Sequence, residues 1–114
     1  MMPVKCLFCR IVNGEIPADI VAEREDAIVF RDVSPKAPSH MLVIPRRHVD
    51  SLDEADEGMD LGALLRLAAE VARDEGLDAS GYRVVINTND DGGQTVRHLH
   101  LHVLGGRQMT WPPG

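Results

Sequence analysis

No stretch of this chain approaches the run of about 18 apolar residues that a membrane span requires, and its 12 Lys and Arg residues are not gathered into a block. The first absence predicts a soluble protein with no membrane partner. The second, with a formal net charge of −6, argues against a broad nucleic-acid surface, which needs clustered cations along a phosphate backbone. Any phosphate site must therefore be local. The N-terminus Met1-Met2-Pro3-Val4-Lys5 runs into a short apolar patch holding both cysteines and then Arg10, unlike the layout of a cleavable leader, so a cytoplasmic location is expected. Internal repeats and low-complexity segments are absent, and 114 residues suffice for one ordinary core. We expect a single domain, residues 1–114, with a tail over about 105–114.

Cysteine is almost absent. Cys6 and Cys9 are the only two, and at Cys-x-x-Cys spacing in a reducing compartment they suggest metal or redox chemistry rather than a structural disulfide. They also fit the role of small buried hydrophobes. A thioredoxin-like role is disfavoured because no strand precedes the pair.

What is present reads as alternating strands and two helices. Leu7, Phe8, Ile11 and Val12 have helical spacing over residues 7–13, ahead of Gly14. Strands are predicted over residues 20–24 and 27–33 with a tight hairpin at Glu25-Asp26, over 40–44, 82–88 and 98–104. Residues 60–75 place Leu61, Leu64, Leu65, Ala68, Val71 and Ala72 on one stripe of a long helix. Hairpins with one long helical crossover predict an α+β fold: an antiparallel sheet of about five strands, one long helix across a face and one short helix.

The chemistry sits in His98-Leu99-His100-Leu101-His102-Val103-Leu104. Period-two alternation puts three imidazoles on one face and aliphatics on the other. Successive histidines lie about 6.6 Å apart along such a strand, too far to converge easily on one metal, and better suited to a row along an anionic ligand. Asn89-Asp90-Asp91-Gly92-Gly93 is a turn, and Gly92-Gly93-Gln94-Thr95 either brings backbone N–H groups near an anion or is part of an ordinary hairpin loop.

These residues, together with Gly14-Glu15-Ile16-Pro17, Phe30-Arg31-Asp32-Val33-Ser34-Pro35-Lys36-Ala37-Pro38, His40-Met41-Leu42-Val43-Ile44-Pro45, Gly92-Gly93-Gln94-Thr95-Val96, Leu104-Gly105-Gly106-Arg107-Gln108-Met109 and the Trp111-Pro112-Pro113-Gly114 tail, resemble the histidine triad (HIT) superfamily, most closely its Hint branch. The resemblance implies a homodimer that hydrolyses purine nucleoside phosphoramidates, or an aminoacyl-adenylate, through a covalent nucleotidyl-histidine on His100. It gives His102 the phosphate oxygens, places His40 close by in support, and lets the carbonyl of His98 orient His100. Thr95 stands where the family usually has Ser, and its hydroxyl serves the phosphoryl or leaving group. Asp32 matches the ribose acceptor, though an Asp before Ser-Pro also forms turns. Asn87, Gly93 and Gln94 match the ribose and phosphate contacts. Phe8, Ile28, Phe30 and Val33 are candidates for the base pocket, although residues of that kind are usually core. Cys6, Cys9, His48 and His98 match a structural zinc set found in many bacterial relatives, so zinc is expected, with no cofactor required for catalysis. Dinucleoside polyphosphate hydrolysis and a non-catalytic nucleotide-binding module are the alternatives. Trp111 is expected near the partner subunit's leaving-group site.

Overall fold

The run Met41-Leu42-Val43-Ile44 has no polar alternation, and a strand buried on one face alone would not need that. A computed structural model, describing residues 6–114, shows why. The elements follow in the order α1 (Leu7–Val12), β1 (Ile20–Glu23), β2 (Ala27–Arg31), β3 (Ser39–Pro45), α2 (Leu61–Asp74), β4 (Tyr82–Val85) and β5 (Leu101–Gly105). The five strands form one antiparallel sheet in the order β1-β2-β3-β5-β4. β3 is central and buried along its whole length. Met41 and Val43 point into a core shared with α2, while Leu42 and Ile44 point into a second core with Phe8 of α1. Both faces are covered, so both registers are apolar. This is the expected α+β architecture.

α2 begins at Asp60, whose carboxylate accepts from the Ala63 N–H at 3.0 Å, an N-cap that satisfies one free donor of the first turn. Its buried residues are Leu64, Leu67, Ala68, Val71 and Ala72. The expected stripe included Leu65 and omitted Leu67; Leu65 is 48% exposed. At 3.6 residues per turn, Leu65 lies about 100° round from the centre of the stripe, whereas Leu67 lies within it.

Four strands are shorter than their sequence patterns, β1 by a single residue. β2 stops at Arg31: the Asp32 N–H still donates to His40 O of β3 at 3.0 Å, but its carboxylate accepts from the Ser34 N–H at 2.8 Å and turns the chain away. β4 ends at Val85, opposite His102, where its pairing with β5 runs out. β5 starts only at Leu101; upstream, the Leu99 N–H donates to Val49 O at 2.8 Å, a loop carbonyl rather than a strand partner. The alternation nevertheless survives outside the ladder: Leu99, Leu101 and Val103 enter the α2-side core, and His98 and His100 meet Phe8 on the opposite face. No described helix is long and apolar enough to cross a membrane. The reading of Met1 to Lys5 concerns segments outside the described residues.

Candidate active site and metal-binding cluster

The end of β5 and the bend before it fix three imidazoles in different ways. His100 Nδ1 lies 2.7 Å from His98 O. A carbonyl only accepts, so Nδ1 carries the proton and Nε2 keeps its lone pair. The ring is held from the side by Phe8, edge-on at a centroid distance of 5.2 Å, and Phe8 is itself braced by Phe30 at 5.4 Å. The first helix thus packs against the nucleophile candidate.

His102 is set by a relay that starts at the main chain. The Lys36 N–H donates to His40 Nδ1 at 3.0 Å, which leaves the proton of neutral His40 on Nε2. That N–H donates to His102 Nδ1 at 2.9 Å, so the proton of His102 sits on its own Nε2. His102 Nε2 is buried and has no hydrogen-bond partner among the described residues. Its ring lies 4.9 Å from that of His100, centroid to centroid. A lone pair on one ring and an unpartnered donor on the next are thereby presented side by side. The Asp32 carboxylate lies 3.5 Å from His40 Nε2.

Burial holds His102 in its neutral form, pushing its pKa down to about 4; His100 and His40 add to the shift and Asp32 opposes it. His40 is lowered too, again chiefly by burial. In the folded state both bind fewer protons than in the unfolded chain at mildly acidic pH, so stability falls as pH drops from about 6.5, the unfolded value, towards about 4 for His102. We expect the denaturation midpoint to decline over that window and His102→Gln, which cannot take a proton, to decline less; parallel curves for the two proteins would refute this origin.

The turn before the triad is built around Gly92, Gly93 and Gln94. A Cβ on Gly92 would lie 2.4 Å from Thr88 O, so the chain approaches itself too closely for any side chain. Gly93 has φ 79°, the left-handed region that glycine tolerates best. Gln94 is buried, and its amide is fully employed: Oε1 accepts from the Asn89 N–H at 2.9 Å, while Nε2 donates to Asp50 O at 2.6 Å and Val96 O at 3.0 Å. The side chain of Gln94 is thus the clamp of the turn, and the main chain closes it further: the Gln94 N–H donates to Asn89 O at 3.1 Å and the Gly93 N–H to Asp90 O at 3.0 Å. Thr95 is exposed and Asn87 is half-buried. Phe8, Ile28 and Phe30 form the α1-side core with Leu42 and Ile44. Val33, in contrast, is 96% exposed.

Cys6, Cys9, His48 and His98 converge, each offering one ligand atom within 4.8 Å of the others. Cys6 is the N-cap of α1 and Cys9 lies three residues on, so the helix brings both sulfurs to one end. His98 Nε2–H donates to Pro45 O at 2.8 Å, and His48 Nε2–H donates to Asp50 Oδ1 at 2.6 Å. Both Nδ1 atoms therefore carry lone pairs, and they face each other at 3.2 Å with sulfurs 3.3–3.6 Å away. Two facing lone pairs repel unless a cation lies between them, and the only donors beside them here are the weak S–H groups of the two cysteines. Nitrogens on tetrahedral zinc would be about 3.4 Å apart, and nitrogen and sulfur about 3.6 Å. The donor set fits zinc in type, number and spacing. Burial, and then Cys6, push the Cys9 thiol up to about 11, and a metal would have to displace that proton. The sequence reading missed Asp50 and the carbonyl of Pro45. Asp50 stands two residues after His48, a weak signal; a main-chain carbonyl leaves none.

Comparison with known proteins agrees with this geometry. A family model described as HIT domain matches residues 13–109. A protein from Zea mays named 14 kDa zinc-binding protein is 48% identical over 112 residues, covering 95% of this chain and 87% of that one. The crystal structure of a HIT family hydrolase from Legionella pneumophila superposes with a TM-score of 0.94 at 49% identity, covering 96% of this chain and 100% of that one. A histidine triad nucleotide-binding protein from Candida albicans gives 0.83 at 29% identity, covering 95% and 83%.

Proposed function

Because the chain belongs to the HIT domain family, we propose that it hydrolyses purine nucleoside 5′-phosphoramidates through a covalent nucleotidyl-His100 intermediate, as a member of the Hint branch. The observation that carries this reading is the pairing of a His100 Nε2 lone pair, fixed by His98 O, with the unpartnered His102 Nε2–H. The lone pair attacks the α-phosphorus and forms an N–P bond as the bond from phosphorus to the amine breaks. The departing amine takes its proton through the hydroxyl of Thr95, which is open to solvent. His102 donates to a phosphoryl oxygen where charge accumulates, with His40 and Lys36 N–H behind it. Water then attacks the same phosphorus, giving up a proton to solvent as the N–P bond breaks; His100 leaves with its lone pair restored, and the nucleoside monophosphate departs.

Around these residues, Asp32 is assigned to the ribose hydroxyls, the turn at Gly93 and Gln94 to the phosphate, where a ligand would share the N–H groups now held by Asp90 O and Asn89 O, Asn87 to ribose or phosphate, and Val33, Phe8, Ile28 and Phe30 to the side of the purine. Cys6, Cys9, His48 and His98 would hold zinc, which supplies a structural tie between α1 and the sheet when bound. The chain would act as a single cytoplasmic domain and pair into a homodimer through the β4 edge, where Tyr82 is exposed. Trp111, 82% exposed on a tail that Arg83 holds through Thr110 O, would then serve the partner's leaving-group site. The test is steady-state hydrolysis of an adenosine phosphoramidate carrying a fluorogenic amine, beside a dinucleoside polyphosphate. The proposal expects the phosphoramidate to be preferred; preference for the polyphosphate, or cleavage of neither, would overturn it.

A further inference from the structure

Two hydrogen-bonded routes leave the metal cluster. One is short: His98 is a ligand candidate, and its carbonyl sets His100. The other runs the opposite way. His48 Nε2–H is held by Asp50 Oδ1 at 2.6 Å, and the main-chain carbonyl of the same Asp50 receives the Gln94 amide at 2.6 Å. Gln94 in turn fixes the Asn89 N–H and the Val96 carbonyl, the two ends of the Gly92-Gly93 turn. A carboxylate behind a ligating histidine is a common device for setting ring orientation and tautomer. Here that carboxylate belongs to a residue whose backbone also anchors the turn assigned to the phosphate.

We infer that Asp50 and Gln94 are positioning residues that couple metal binding to nucleotide binding: an ion held by Cys6, Cys9, His48 and His98 raises the affinity of the Gly92–Thr95 turn for a nucleoside monophosphate. The inference rests on the functional reading above for the location of the phosphate. Its physical basis is a difference between two states. Without a cation, the facing Nδ1 lone pairs of His48 and His98 at 3.2 Å have only the weak S–H donors of Cys6 and Cys9, 3.3–3.6 Å away, to offset their repulsion. His98 is wholly buried and tied to Pro45, so the partly exposed His48 is the ring that yields. Movement of His48 draws on Asp50, and movement of Asp50 slackens its hold on Gln94. With the cation present, repulsion becomes attraction and the chain of bonds tightens. Because coupling between binding sites is reciprocal, the nucleotide must raise the metal affinity by the same factor.

The experiment measures both directions. AMP is titrated calorimetrically into zinc-loaded and chelator-stripped protein, and Co²⁺ is titrated with and without saturating AMP, followed by its visible absorption bands. The expected result is a factor of about five or more, equal in the two titrations. Asp50→Ala removes a half-exposed carboxylate and should bring the factor close to one; Asp50→Asn, whose amide oxygen still accepts from His48, should restore part of it. Gln94→Glu, which loses both amide donors, should also remove it. Should the stripped protein unfold, zinc-loaded wild type and zinc-loaded Asp50→Ala are compared directly, with AMP expected to bind about five-fold more weakly to the variant and Asp50→Asn to recover. A factor of one in the wild type, or a factor undiminished in Asp50→Ala, would overturn the coupling while leaving the hydrolase reading intact. AMP binding to neither form would overturn both.

Discussion

Replacing His100 with alanine is expected to lower kcat/KM for an adenosine phosphoramidate by about three orders of magnitude or more, while AMP affinity changes only a few-fold. Removal of a nucleophile that forms a covalent bond deletes the whole of that pathway, and losses of this size and greater are usual. What remains after the substitution is binding and the donor on His102, which still stabilises charge but has no attacking lone pair beside it. His100 is buried and touches Phe8, so the folded state of the variant must be checked by its unfolding transition before its rate is read. His102→Ala should cost less, about 10²–10³ in kcat, because it removes one donor to the developing charge. Equal losses in the two variants would argue that both rings act as one unit. Retention of more than about a tenth of the activity in His100→Ala would show that another group attacks phosphorus.

The second large effect is on stability. A chelator that strips the proposed zinc should lower Tm by about 10 °C or more, and Cys6→Ser with Cys9→Ser should reproduce the lower value whether or not chelator is present. A ligand at about a thousand times its Kd stabilises the folded state by about 4 kcal/mol, and a domain of this size loses several degrees for each kcal/mol. The effect should be concentrated in α1, which has only six residues, too few to be stable alone. Apart from the cluster, it is held chiefly by Phe8 in the α1-side core. Since Phe8 also braces His100, loss of metal should loosen the active site together with the helix. Hydrogen exchange at Phe8 to Val12 that is unchanged by chelation would contradict the structural role assigned to the ion.

The legible part of this protein is the part governed by periodicity. Alternation in His98-Leu99-His100-Leu101-His102-Val103 gave the facing of six side chains correctly even where the ladder is missing, because facing depends on an extended backbone and not on a partner strand. The two-sided burial of β3 was written in its unbroken apolar run. Strand ends were misjudged where side chains or turns took over main-chain groups, as at Asp32 and Leu99. The cluster of Cys6, Cys9, His48 and His98 could be proposed only through family resemblance, since the four positions span 93 positions of chain and no local pattern joins them. Two of the groups that set the tautomers were beyond reach: Lys36 N–H and Pro45 O act through the backbone, which every residue possesses; the His98 carbonyl behind His100 came only with the family resemblance. Gln94 was singled out as a nucleotide contact, whereas in the structure its side chain serves the turn itself.

The central claim is a bond between His100 and phosphorus, and it can be looked for directly. The protein would be mixed with an adenosine phosphoramidate carrying a good leaving amine, quenched in base within one turnover, digested and analysed by mass spectrometry. The account predicts a nucleotidyl group on the peptide containing His100, localised to that residue by fragmentation, absent from His100→Ala and decaying as AMP appears. Product formed in a single turnover with no adduct, or with an adduct on His98 or His102 instead, would contradict it.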